Sequence, residues 1–226
     1  MIEVTKHIKE LFGKEVATTI TQIGSLEVEV GTNGYHGGGA KDGGRTYLRI
    51  QNCDDADIRV RKLPGIPRAG LGEGIEIVFG GNNELESVIN AIKFAVDTLE
   101  SNSKMHFAVD GMAQKVKEKR REIDGNEVLT FIVELDGFCY TEVEVGTNGY
   151  RYIDTSFKSR TYIRIQDRGG TVIHTRKLYG AKEGAEIILE GDAELSMIGS
   201  ALRFIETTLS CCVASRNLRK KKTIKK

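Results

Sequence analysis

The chain is poor in the features that most often announce an activity. It has no tryptophan, and aromatic residues make up only 7% of it. No run of about 18 apolar residues occurs, so no helix is expected to span a membrane. The first residues, MIEVTKHIKELFGKEV, alternate charged and apolar groups and lack the apolar core of a signal peptide, so an intracellular protein is expected. The four cysteines (Cys53, Cys139, Cys211 and Cys212) form no C-x-x-C pattern and read as small buried or half-buried thiols. The histidines His7, His36, His106 and His174 are scattered and make no ligand pair. No metal or cofactor is therefore expected. There is no serine elbow, no H-E-x-x-H, and no carboxylate pair that recurs as a catalytic motif. Glu142 and Glu144 share a strand face, but Arg164 and Arg176 are expected to neutralise them. No catalytic residue is assigned, and the chain reads as a non-enzyme.

What the chain does have is repetition. Residues 27–35 read EVEVGTNGY, and residues 142–150 read EVEVGTNGY again, 115 positions later. At the same offset RTYLRIQ (45–51) returns as RTYIRIQ (160–166), and RKL (61–63) as RKL (176–178). At 226 residues the chain has room for two units of about 100 residues. Two copies of one small unit, related by a pseudo-twofold axis, are the expectation.

The second copy shows the unit best. Residues 126–136 alternate, with Leu129, Phe131, Val133 and Leu135 on one face. In 140–145, Val143 and Val145 face in while Glu142 and Glu144 face out. In 160–166, Thr161, Ile163 and Ile165 face in while Tyr162 and Arg164 face out. Residues 172–178 put His174 and Arg176 outside, and 185–190 is the last strand. This period of two, rich in β-branched residues, is the strand signature. The period then becomes helical. Asp192 is a good N-cap, Glu194 sits in the first turn, and Leu195, Ile198, Ala201, Leu202, Ile205 and Leu209 form a stripe. Copy one repeats this with Asn82 as cap and Leu85, Val88, Ile89, Ile92, Val96 and Leu99 as stripe.

The fold class is therefore α+β: a tandem duplication of a βββββα unit, each copy an antiparallel meander covered by one long helix. The divisions expected are a first repeat at 1–103, a charged linker at 104–124, a second repeat at 125–213 and a basic tail at 214–226. Copy one gains an N-terminal amphipathic helix over 3–12, and the linker's KVKEKRRE reads as a short charged helix or hinge. Copy one also has a strand-to-strand loop five residues longer, LPGIPRAGLGEG (63–74), which holds both prolines. Residues 216–226 carry seven basic groups and no acid, which leaves −6 on the rest of a chain whose net charge is +1. Such an arm is either solvated or a contact for an anionic polymer.

Two regions are candidate binding surfaces. The loop at 31–45 has seven glycines in fifteen residues, which lets backbone amides converge on an anion, with Lys41 and Arg45 adding charge and Tyr35 beside them. The alternative is a hairpin tip whose glycines only satisfy turn geometry. In copy two the same loop interleaves rings with cations: Tyr150, Tyr152 and Phe157 for stacking, Arg151, Lys158 and Arg160 for phosphates. The second region is the outer sheet face, with matched pairs Tyr47/Tyr162, Arg49/Arg164, Arg59/His174 and Arg61/Arg176 beside Glu27/Glu142 and Glu29/Glu144. That face either binds bases and phosphates, is solvated by cross-strand Glu–Arg pairs, or packs on the other repeat.

The stretches RTYIRIQ, VIHTRKL and AEIILEGDAELSMIGSALRFIETTL, an aromatic and basic strand leading to an acidic-capped helix, resemble the PUR-repeat and Whirly group of single-strand nucleic-acid binders. The resemblance implies two repeats packed into one body and a partner that is single-stranded DNA or RNA, bound in replication, transcription or repair. The second reading of the residues is a binder or sponge of a small anionic nucleotide, as some phage anti-defence proteins are. A protein-interaction module that forms homo-oligomers through its sheet or helix faces is the third reading.

Overall fold

The computed structural model describes residues 4–39, 41–53, 57–65, 73–108, 116–135, 140–149, 159–169, 173–179 and 183–223. Six strands and a helix occur twice along the chain. They are β1 (Val4–Leu11), β2 (Lys14–Ile23), β3 (Leu26–Thr32), β4 (Arg45–Asn52), β5 (Asp57–Leu63), β6 (Gly74–Gly80) and α1 (Asn82–Ser103), then β7 (Lys117–Ile123), β8 (Asn126–Leu135), β9 (Tyr140–Thr147), β10 (Arg160–Gly169), β11 (Ile173–Leu178), β12 (Gly184–Glu190) and α2 (Asp192–Thr223).

Two expectations need correction here. Within 3–12, expected as a helix, Val4–Leu11 form strand β1, and the charged linker contains strand β7. In β1 the apolar residues Ile8, Leu11 and Phe12 stand at i, i+3 and i+4, which imitates a helix. The true signal was the turn that follows. Phe12–Gly13 and Asp124–Gly125 both have positive φ (48° and 75°; 51° and 69°), the geometry of a two-residue hairpin turn. Asp-Gly is the usual sequence mark of that turn, so β7–β8 was the more legible of the two.

The sheets also depart from one meander per copy. One sheet runs β1-β2-β3-β4-β12-β11 and the other β5-β6-β10-β9-β8-β7, all antiparallel. Each half gives four strands to one sheet and two to the other. The exchange is made by the β4–β12 ladder, from Arg45↔Glu190 to Gln51↔Gly184, and by the β10–β6 ladder, from Arg160↔Gly80 to Gln166↔Gly74. Gly74 and Gly184 sit at these joins, where an added Cβ would lie 2.6 Å and 2.4 Å from a facing carbonyl oxygen. The two sheets approach at β5–β6 and β11–β12, where Glu73 accepts hydrogen bonds from the Thr175 amide (3.1 Å) and hydroxyl (3.3 Å).

Both helices pack against the inner sheet faces and against each other, α1 on β3 and α2 on β9. One continuous apolar core results, holding the stripe residues of α1 and α2 with the inward valines and isoleucines of both sheets. The segment Asp192–Ala214 of α2 is long and apolar enough to cross a membrane by composition. Its apolar side, however, is spent on this core: Leu195, Ile198, Ala201, Leu202, Ile205 and Leu209 are all buried. Phe107, just beyond α1, lies against Gly199 so closely that a Cβ there would meet its ring at 2.4 Å. Arg203 of α2 then bridges Glu100 of α1 and Glu206, each at 2.9 Å.

Because each sheet borrows strands, neither half has a complete sheet of its own. Expressed alone, residues 1–115 are expected to be insoluble or to pair with a second copy that supplies the missing strands. Light scattering with thermal melting checks this, and a monomeric half with a cooperative melt would contradict it.

Candidate functional site

The hairpins β1–β2 and β7–β8 curl over the outer faces of their sheets, so those faces are not open platforms. Val16, Leu11 and Tyr47 make a small apolar cluster outside the main core. Val128 is buried while Leu129 is exposed, which inverts the facing expected at the start of β8 and follows from the same curl. Tyr47 is 1% and Tyr162 2% exposed. The Tyr47 hydroxyl donates to Glu186 (2.9 Å) and Tyr162 to Glu76 (2.7 Å). Lys9 lies over the Tyr47 ring at 4.7 Å and Arg121 over Tyr162 at 4.9 Å. Burial first, then the carboxylates beside them, push both phenols well above their ordinary range, so both stay protonated donors. These rings are therefore not exposed for stacking on a base.

The outer-face arginines are paired. Arg49 bonds Glu27 (3.0 Å) and Glu29 (2.9 Å); Arg164 bonds Glu142 (2.7 Å) and approaches Glu144 (3.8 Å). Glu144 is fully buried and takes a bidentate contact from Arg121 and a hydrogen bond from Thr130 (2.6 Å). Burial alone would raise its carboxyl, but Arg121 and Thr130 outweigh that and hold it below its ordinary value. Arg176 is exposed, 3.8 Å from Glu186, and His174 contacts Glu190 (2.7 Å) and the Phe12 ring (4.6 Å between centroids).

The glycine-rich loop does gather amides around an anion, and the anion is the chain's own. Asp192, at the start of α2, accepts from the amides of His36, Gly37, Gly38 and Gly44 at 2.5–3.0 Å. It thus caps the loop rather than its own helix, which corrects the N-cap reading. Burial raises its carboxyl, and the four amides reverse this and leave it below the usual aspartate value. Arg45 is buried as well, held by Gly43 and Gly44 carbonyls (3.1 Å each) and Glu190 (3.1 Å). Of the candidates in this loop only Tyr35 and Lys41 are exposed. Tyr150, Arg151, Tyr152, Phe157 and Lys158 lie outside the described residues.

One place does bring candidates together. Arg59, Arg61 and Tyr162 line an open cleft of about 360 Å³ with Arg121, Glu122 and Asp124 from the curled hairpin, Glu76, and the apolar Val60, Val78 and Ile123. Asp124 binds Arg59 through both oxygens and Arg160 at 2.7 Å. Hydrogen bonding from Arg59, against a smaller burial effect and with help from Arg160, lowers its carboxyl to about 2. Arg61 reaches Glu76 at 2.8 Å through one nitrogen, and its side chain is 68% exposed. A guanidinium has five donors, so this leaves several for a ligand. Arg121 of β7 and Asp124 of the turn after it carry no mark of a binding site in the sequence, because 104–124 reads there as a charged linker. No group of three or more metal-ligating side chains occurs among the described residues.

No family model, no curated protein and no solved structure matches this chain.

Asp192 gives a direct test. Its stability contribution is full above the ordinary aspartate range, near 4, and fades as pH falls through the depressed native value. Asp192→Ala strands four amides and is expected to cost about 3 kcal/mol at neutral pH. Its difference from the parent protein should shrink in acid. Thermal melts from pH 7 down to pH 3 measure both.

Proposed function

We propose that the chain is an intracellular, non-enzymatic binder of single-stranded nucleic acid, and that the cleft beside β5–β6 receives one nucleotide unit. The observation that carries this is the convergence of three arginines on a cleft that also presents Val78 and Ile123. Val78 and Ile123 suit a base, and Arg61, exposed and bound at one nitrogen only, suits its phosphate. Arg160 stands at the rim through Asp124. In the sequence, rings and cations interleave over 150–158, just ahead of Arg160, a composition suited to stacking on bases and pairing with phosphates. The basic groups of 216–226 would add salt-dependent affinity. The pattern-level likeness to PUR-repeat and Whirly binders supports the same ligand. The matched turns at Phe12–Gly13 and Asp124–Gly125 support a tandem duplication, with a unit of six strands and a helix.

A second reading, a small anionic nucleotide, has its own support. The cleft is compact, and its lining holds three arginines against three carboxylates. The chain without its basic arm carries −6, which would repel a polyanion over most of its surface.

Fluorescence anisotropy of a labelled mixed-sequence strand at two salt concentrations, with a nucleotide panel followed by thermal shift, tests both. Micromolar strand binding that weakens with salt is expected. Arg61→Ala should weaken it about tenfold and, if Arg61 meets one phosphate, reduce the salt slope by about 0.7. Deleting residues 219–226 should flatten the slope further. Stabilisation by one nucleotide without strand binding, abolished in Arg61→Ala, would select the second reading. Neither response would refute both.

A further inference from the structure

The two hairpins that curl over the sheets also end them, and their free edges differ in a way that the fold does not require. β1 and β7 each end one of the two sheets, whose opposite ends are β11 and β5. β1 and β7 occupy the same place in each half, and aligning their turns sets Lys6, Ile8 and Glu10 against Glu118, Arg120 and Glu122. An unpaired strand edge is a template for another strand, and charges are the usual guard against it. β7 is so guarded. β1 is guarded less: between Lys6 and Glu10 it exposes Ile8 at 72%, with Val4 exposed beyond.

Which backbone groups of β1 are free follows from its register. Leu11↔Lys14 flanks the two-residue turn and is a hydrogen-bonded pair, so the odd residues of β1 spend their amides and carbonyls on β2. The even residues, Val4, Lys6, Ile8 and Glu10, direct theirs to the open edge. Their side chains lie on the face away from the Tyr47 cluster, and all four are exposed. Among the described residues, neither Lys6 nor Glu10 has an ion-pair partner.

We propose that β1 is a homodimer interface, in which two copies add edge to edge, antiparallel, about a twofold axis at Ile8. An antiparallel pair centred there sets Ile8 opposite Ile8, Lys6 opposite Glu10 and Glu10 opposite Lys6, with Val4 beside the turn at Phe12. Every pair on the face away from Tyr47 is matched in kind, while His7 meets Lys9 on the other face, and a single twelve-stranded sheet would run through both copies. The same operation at β7 sets Arg120 against Arg120 and Glu118 against Glu122, which are like charges directly opposed. A mixed β1-to-β7 contact would set Glu10 against Glu118 and Lys6 against Glu122, so that one like pair offsets one opposite pair. The charge pattern therefore selects a closed dimer through β1 over an open chain of copies.

Sedimentation equilibrium or light scattering on the full chain tests this without reference to any ligand. A concentration-dependent dimer is expected. Ile8→Arg, which copies the β7 residue, should weaken it at least tenfold. Lys6→Glu alone and Glu10→Lys alone should each weaken it, and the double reversal should restore it, a rescue that a merely structural fault would not show. Thermal melts confirm that each variant is folded. A protein that stays monomeric into the high micromolar range overturns the proposal. So does a dimer indifferent to Ile8→Arg and to both reversals.

Discussion

The ladders that carry β12 beside β4 and β6 beside β10 set the terms for everything else in this molecule. A six-stranded sheet has one face to bury, and here each half supplies only four of its strands. The helices must then reach both sheets, which is why α1 and α2 share one core rather than closing two separate ones. The same exchange builds the polar contacts of the outer faces. Tyr47 of the first half meets Glu186 of the second, and Tyr162 of the second meets Glu76 of the first. The cleft itself is a product of it, since Arg59, Arg61 and Glu76 come from one half and Arg121, Asp124 and Tyr162 from the other.

The outer faces are costly environments for charge. Glu29 and Glu144 are almost wholly removed from water, and an unpaired carboxylate there would cost several kcal/mol. Each is held by cations from two directions: Lys9 and Arg49 for Glu29, Arg121 and Arg164 for Glu144. In both cases one cation comes from the curled hairpin and the other from the sheet floor. The ion pairs thus fix the angle at which each hairpin lies across its sheet. The two halves solve the hairpin tip differently: Phe12 stacks on His174, whereas Asp124 pairs with Arg59.

Strands 2 to 6 of the repeated unit, and both helices, were legible because their apolar residues recur with a clean period. Val143, Val145, Ile163 and Ile165 face inward as their alternation requires. The edge strands β1 and β7 were not legible in that way. β1 and β7 bury little, so no period of two is imposed on them, and their turns carried the only signal. The cross-half pairing left no trace in the pattern at all, because alternation reports which face is buried and not which strand lies alongside. The candidate residues show the same division. Tyr47 and Tyr162 were placed on the correct face, but that the face is roofed over depended on the hairpins. The Asp192 contact was half legible: the glycines announced an anion, and only the tertiary fold shows where it sits.

That contact joins two elements far apart in sequence. Fixing one residue's backbone costs about 1–2 kcal/mol, and a glycine-rich segment loses more freedom than most. The tip of the β3–β4 hairpin holds its shape largely because one carboxylate gathers four of its amides. The carboxylate, however, belongs to the first turn of α2. Fraying of that turn and melting of the hairpin tip are therefore a single opening event, and the two segments form one cooperative unit of local unfolding.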